Sequence, residues 1–596
     1  MLCWNRRCAL LLAIGLALYA PVPALSKAPP QQRTEISGSA LDTTAPVAGA
    51  VDWRKARPAL ARHAMVVSAQ HLATQVGVSI LKQGGNAVDA AVAVGYALAA
   101  VHPCCGNIGG GGFMTVHLAD GRDLFLDFRE RAPLKATATI FQDKDGNVVP
   151  GLSTRSFLAV GTPGTVMGLD TALKTYGTMP LAKVIAPAID LARKGFVLEQ
   201  GDVKILDRRA ADFAKFPNVA AIFLNHGKPY QAGERLVQPQ LAKTLGLIAK
   251  GGTDAFYKGS IAKKIVAESD ANGGLFTMRD FAEYNVSWEQ PVRCEYRGYT
   301  IVSAPPPSSG GTTICEILQI LKAYPLDKFG YGSVKATHYL VEAERHAFAD
   351  RNTDLGDPAF INNPVAKLIS DANAEKIRAQ IEPDKATPSS EVRGGFPSSE
   401  GTHTTHFSVV DGKGNAVSVT YTLNFLFGVG RIAGDTGFFL NDEMDDFTSK
   451  PGVPNAFGLV QGSANAVAPG KRPLSSMSPT IVLGRDGKLF MVTGSPGGST
   501  IISTTMESII NVIDYGMNMQ QAVNAPRIHH QWLPDLVMVE PGYLSSASKA
   551  ALEAMGYQFR EIPSWGADQA ILFDAKDNVL QGASDRRRPA GLAAGY

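Results

Sequence analysis

Cysteine is scarce in this chain, six in 596 residues, and two of the six, Cys3 and Cys8, fall within the first ten positions. So few thiols exclude a disulfide-stapled miniature fold and a Cys-rich zinc module. An excess of one charge sign is missing as well: 57 Lys and Arg stand against 54 Asp and Glu, a formal net charge of +3. No nucleic-acid partner is expected, because such a partner needs a basic field that this composition does not supply. Long apolar runs are confined to the first 25 residues, so no stable membrane anchor is expected in the rest. What is left is a chain of ordinary composition, 45% hydrophobic and 19% charged, sized for several domains or one large α/β assembly.

The start of the chain has a processing pattern. Arg6-Arg7 precede the apolar run Ala9 to Tyr19, and Ala24-Leu25-Ser26 offers small residues for cleavage before Lys27. Residues 1–26 read as a secretory signal peptide, which implies export, to the periplasm of a Gram-negative cell or otherwise to the medium. Residues 27–55, rich in Pro, Ala, Thr and Gln, read as a mobile leader. In an oxidising compartment Cys294 and Cys315 are available to bridge, whereas the adjacent Cys104-Cys105 rarely pair with each other.

Midway through, Asp411-Gly412-Lys413-Gly414-Asn415 separates two runs rich in Val, Phe, Tyr and Thr. This pattern predicts a hairpin with a five-residue loop. Centring it on Lys413 sets Val410 against Ala416 and, further out, Thr404 against Thr422. A threonine hydroxyl needs a neighbouring base or hydrogen-bond partner to become a nucleophile, and its own α-amine is such a base once the preceding peptide bond is cut. The approach to that bond, 375–403, is rich in Ser, Pro, Glu and Gly and reads as a loose segment. Upstream, the glycine-rich loop Gly106 to Gly112 has no Walker context and reads as a place of close backbone approach, not a phosphate cradle. His529-His530 has no partners at ligand spacing, so neither a metal nor an organic cofactor is expected.

The chain resembles the γ-glutamyltransferases of the N-terminal nucleophile hydrolase superfamily. The resemblance rests on Thr404-Thr405-His406, Tyr421-Thr422-Leu423-Asn424, Met444-Asp445-Asp446-Phe447, Pro473-Leu474-Ser475-Ser476, Gly494-Ser495-Pro496-Gly497-Gly498 and Asp127-Phe128-Arg129-Glu130, in the family's order from about residue 60 to the C-terminus. It implies an α/β fold, a four-layer αββα sandwich built from two subunits of one precursor. Cleavage between His403 and Thr404 would give a large subunit, 27–403, and a small one, 404–596, associated noncovalently because every cysteine precedes the cut.

The resemblance also implies roles. Thr404 is the nucleophile of both self-cleavage and catalysis, Thr422 orients it, and Gly497 and Gly498 supply oxyanion donors. Arg129 with Ser475 and Ser476 binds the α-carboxylate of a γ-glutamyl donor such as glutathione, and Asn424, Glu443 and Asp446 bind its α-ammonium. Amino acids, peptides or water are the acceptors. Glu443 stands where members of the family carry Gln or Glu. Phe457, in a Pro/Gly/Asn-rich lid spanning 450–472, replaces a tyrosine found in some relatives and so removes a lid hydrogen bond to Asn424. The alternatives are a cephalosporin or glutaryl acylase on the same scaffold and a binding protein that never matures.

Overall fold

The computed structural model describes residues 52–392 and 404–596. Residues 1–26, most of the leader and His403 therefore lie outside the described residues.

Strands Thr405–Val410 and Ala416–Thr422 pair antiparallel with Val410 opposite Ala416 and Thr405 opposite Tyr421, the register that the turn dictates. Both strands are buried along their whole length, which follows from their central place in a sheet covered on both faces. Met65–Ser68 and Leu592–Gly595 extend the sheet on one side; Gly111–His117, Asp123–Phe128 and Ser287–Glu289 extend it on the other. A second antiparallel sheet of seven strands runs in the order Ala59–Ala61, Val579–Ser584, Gln569–Asp574, Leu489–Thr493, Thr480–Leu483, Tyr299–Ser303 and Val292–Tyr296.

The sheets face each other across an apolar layer that includes Met65, Val67, Val410, Ile481, Val492 and Ile571. The hydroxyls in these strands have work within that layer. Ser408 Oγ donates to the Gln569 carbonyl at 2.7 Å, Ser418 Oγ to that of Thr493 at 3.1 Å and Thr115 Oγ1 to that of Pro479 at 2.7 Å. Buried hydroxyls thus tie one sheet to backbone of the other, as a dry interface demands. Helices His71–Lys82, Ala87–Val101 and Thr165–Tyr176 pack on the first sheet, and Gly310–Leu321 and Thr500–Ile513 on the second, with Val334–Asp354 packed against Gly310–Leu321. The result is the αββα sandwich. All fifteen residues of Ala87–Val101 are buried, consistent with a helix that is apolar all round. Cys294 and Cys315 are bonded to each other, joining Val292–Tyr296 to Gly310–Leu321.

Two loose segments are more ordered than their composition suggests. Trp53–Lys55 is a 3₁₀ turn whose Trp53 ring packs 5.2 Å from that of Tyr331. Helix Asp371–Arg378 runs into the start of 375–403, Ser389–Val392 is helical within it, and Ser389 is pinned by the Trp532 indole, which donates to its carbonyl at 3.0 Å. Tertiary partners override local composition here. Between the hairpin and the acidic turn, Ile432 and Phe439 pair in a single antiparallel bridge.

The glycine-rich loop is where backbones nearly touch. A Cβ on Gly110 would lie 1.9 Å from the carbonyl oxygen of Thr422. Gly110→Ala should therefore force the loop and the hairpin apart, at a cost of ~3 kcal/mol or more. Urea unfolding of the variant beside wild type measures this, and an unchanged midpoint would contradict the tight contact.

Candidate active site

Thr404 immediately precedes the first strand of the hairpin, and its Oγ1 lies 3.2 Å from Thr422 Oγ1 on the second. The Thr422 oxygen also accepts the Asn424 amide at 2.8 Å. Asn424 reaches that position through a left-handed backbone, φ +73°, which Asn tolerates better than most residues, and turns the chain sharply after the strand. Its side chain then donates to the Asp442 carbonyl at 3.0 Å, drawing in the acidic turn Glu443–Asp446. Asn441 fixes that turn from the other side, donating to the carbonyls of Gly109 and Gly161 and accepting the Glu443 amide.

A cleft enclosing about 290 Å³, partly open to solvent, collects the sequence candidates. Thr404, Thr422, Asn424 and Gly498 line one part of it, and Arg129, Glu443, Asp446, Ser475 and Ser476 the rest. Gly497 adjoins it. The carbonyls of Gly497 and Gly498 accept the amides of Thr500 and Ile501, opening helix Thr500–Ile513, and φ is +147° and +58° at the two glycines. A fourteen-residue helix thus directs its positive end toward the cleft.

The charged groups are arranged differently from two separate clamps. Arg129 is fully buried and donates Nη1 to Glu443, Nη2 to Asp446 at 2.5 Å and Nε to the Pro473 carbonyl at 3.1 Å. Acid and base therefore satisfy each other. Glu130 also lies 3.6 Å from the guanidinium, and burial pushes its carboxyl up to about 7 against the pull of Arg129. Burial raises Glu443 too, while Arg129 works against it. Glu130 and Glu443, both buried beside one cation, therefore do not ionise as free carboxyls do.

Sequence reasoning missed a second guanidinium. Arg351, buried in Val334–Asp354, donates to Ser476 Oγ at 3.1 Å, Ser309 Oγ at 3.0 Å, Asn352 Oδ1 at 2.9 Å and Gln461 Oε1 at 3.1 Å. These are neutral oxygens, no carboxylate among the described residues pairs with it, and burial lowers it to about 10. Ser309 in turn donates its hydroxyl and amide to the Ser475 carbonyl, at 2.7 and 2.8 Å, so the Pro305–Gly311 loop holds the serine pair.

The 450–472 loop covers the cleft with Phe457 and Leu459. The Phe457 ring stacks on Phe425, next to Asn424, with centroids 4.8 Å apart and planes 4° apart. Stacking holds this part of the loop over the cleft. Asp445 anchors the same loop, accepting Ser153 Oγ at 2.5 Å and the Ala456 amide at 3.1 Å. Burial lifts its carboxyl to about 7, whereas an unfolded Asp titrates near ~3.9. Between those values the folded state holds the extra proton, so the contribution of Asp445 to stability falls as pH rises from about 4 to 7. Asp445→Asn should flatten that slope in denaturation curves measured across the window; a variant slope equal to wild type would contradict the assignment.

Comparison with known proteins places this geometry. The gamma-glutamyltranspeptidase family model matches residues 73–595. The glutathione hydrolase proenzyme of Pseudomonas sp. (strain A14) is 56% identical over 548 residues, covering 90% of this chain and 95% of its own. That of Escherichia coli (strain K12) is 50% identical, covering 94% and 96%. Among solved structures, cephalosporin acylase from Bacillus halodurans superposes with a TM-score of 0.79 at 28% identity, over 91% of this chain and 97% of that one. The Helicobacter pylori gamma-glutamyltranspeptidase chain, 48% identical, matches 54% of this chain and 93% of its own with a TM-score of 0.53.

Proposed function

Since the chain belongs to the gamma-glutamyltranspeptidase family, we propose that it is an exported, self-cleaving γ-glutamyltransferase and glutathione hydrolase whose nucleophile is Thr404. The observation that carries this reading is the shared cleft: a paired threonine hydroxyl faces a buried arginine flanked by two carboxylates.

In the precursor, Thr404 Oγ1 attacks the carbonyl of His403; the C–N bond breaks as the ester forms, freeing the α-amine of Thr404, and water then cleaves the ester, releasing the His403 carboxylate and restoring the hydroxyl. The products are a large subunit, 27–403, and a small subunit, 404–596, held together by the interleaved sheets. Strand Thr405–Val410 pairs with Met65–Ser68, so the hairpin after the cut stays inside a sheet shared with the large subunit. In the mature enzyme the α-amine takes the hydroxyl proton while Oγ1 attacks the γ-carbonyl of glutathione or a related amide. Amides of Gly497 and Gly498 receive the oxyanion, the leaving amine departs with a proton, and water or an amino acid or peptide amine then breaks the γ-glutamyl ester.

The donor enters as a zwitterion, and its charges insert into the existing ion-pair array. Its α-carboxylate takes a place beside Arg129, Ser475 and Ser476, and its α-ammonium lies against Asn424, Glu443 and Asp446. Arg351 acts as a positioning residue: it orients Ser476 and adds a buried positive charge that the donor carboxylate offsets. Arg351→Lys should raise the donor KM about tenfold with kcat changed far less, because a point charge cannot hold four acceptors in one plane. An unchanged KM would remove Arg351 from donor binding.

The acylase reading differs in what the donor must carry. Paired turnover of a γ-glutamyl anilide and the corresponding glutaryl anilide, which lacks only the α-amine, tests it. Loss of the amine is expected to lower kcat/KM by ~10³-fold, since it leaves buried carboxylates unpaired. Equal turnover of the two would make the protein a glutaryl acylase.

A further inference from the structure

Away from the cleft, the loop after helix Ala87–Val101 brings together groups that the reaction does not use. Among the described residues, His102, Cys104 and Cys105 place one imidazole nitrogen and two thiol sulfurs all within 4.8 Å of one another. His102 Nε2 lies 3.4 Å from Cys104 Sγ, and the three residues are 4%, 1% and 2% exposed. The loop is held by its backbone. The His102 carbonyl accepts the amides of Cys105 and Gly106, that of Cys104 accepts Phe427 N, and that of Cys105 accepts Asn107 Nδ2. The donors are thus preorganised without support from any ligand.

The two thiols are free and lie side by side. Neither is in a disulfide, although Cys294 and Cys315 of the same chain are bonded to each other. Neighbouring Cα atoms across a trans peptide are ~3.8 Å apart, closer than the ~4.4–6.8 Å span of ordinary disulfides. The site also has an approach. A cleft of about 260 Å³ is lined by His102, Cys104, Asp202, Leu198, Leu206 and Phe427. A water molecule in that space can complete a fourfold set.

We propose that His102, Cys104 and Cys105 form a binding site for a thiophilic d¹⁰ cation. An S₂N donor set is the chemistry that selects such ions over hard cations. Zn²⁺ is the ion whose charge two thiolates cancel, so the buried centre is neutral; Cu⁺ leaves one negative charge. Both cysteines would bind as thiolates and His102 through a ring nitrogen. The site is joined to the nucleophile hairpin through Asn107, whose Nδ2 donates both to the Cys105 carbonyl and to that of Thr422 at 2.9 Å.

The test uses the full purified protein, reduced, stripped with chelator and returned to metal-free buffer. Zn²⁺ and, anaerobically, Cu⁺ are each titrated against a chromophoric chelator. One equivalent should bind to wild type and bind at least tenfold more weakly to Cys104→Ser and to Cys105→Ser, with metal-free melting temperatures unchanged. Tighter Zn²⁺ than Cu⁺ relative to each chelator's reference identifies the resident ion, and the reverse order identifies Cu⁺. Should a serine variant fail to fold, Co²⁺ added to wild type must still give thiolate charge-transfer absorption. Absence of stoichiometric binding and of that absorption in wild type would overturn the proposal, as would a mass showing Cys104 and Cys105 bonded to each other.

Discussion

Thr404→Ala is expected to accumulate as one uncut chain with turnover of a γ-glutamyl anilide at least ~10⁴-fold below wild type. Both losses have one cause. The hydroxyl 3.2 Å from Thr422 Oγ1 is the proposed nucleophile for the precursor bond and for the donor, and Ala supplies neither it nor a route to the free amine. Folding should survive, because the residue stands just outside the hydrogen-bonded ladder that begins at Thr405. Intact mass, a melting curve and an activity assay on the same preparation separate the cases. A folded, cut variant would show that another group breaks the chain, and a folded, uncut but active one would mean that the α-amine is not the base.

The second large effect belongs to Arg129. Arg129→Met should lower kcat/KM by roughly 10³-fold and destabilise the fold by about 3–5 kcal/mol, since breaking a buried ion pair leaves its partners uncompensated. Here the partners are Glu443 and Asp446, with Glu130 close by, and all three would face one another across a dry cleft. Glu443→Gln is the contrasting case. It keeps an oxygen for Arg129 Nη1 and leaves Asp446 in place, so kcat/KM should change by less than about tenfold. A mild effect at Arg129, or a severe one at Glu443, in assays of kcat/KM and melting would mean that the charge array does not select the donor.

Much of this site was legible because it rests on local chemistry. The five-residue loop around Lys413 fixes the hairpin register, and the register alone brings Thr404 to Thr422. Arg351 gave no such signal. It sits inside a 21-residue helix, and the hydroxyl it holds, on Ser476, is 125 positions away, so only the folded chain reveals the contact. The same holds for the pairing of Arg129 with Glu443, 314 positions apart, where sequence suggests two clamps and the fold makes one array. Composition misjudged Ser389–Val392 for a related reason: a polar, Pro-flanked stretch becomes helical when Trp532 and Asp535 hold Ser389.

The most direct test of the account is to mix wild-type protein with a slowly deacylated γ-glutamyl donor, quench in acid, and map the adduct by mass. The account predicts two chains, the smaller beginning at Thr404 and heavier by one γ-glutamyl residue on its N-terminal peptide. An adduct on any other residue, or an active protein whose chain is never cut before Thr404, would contradict it.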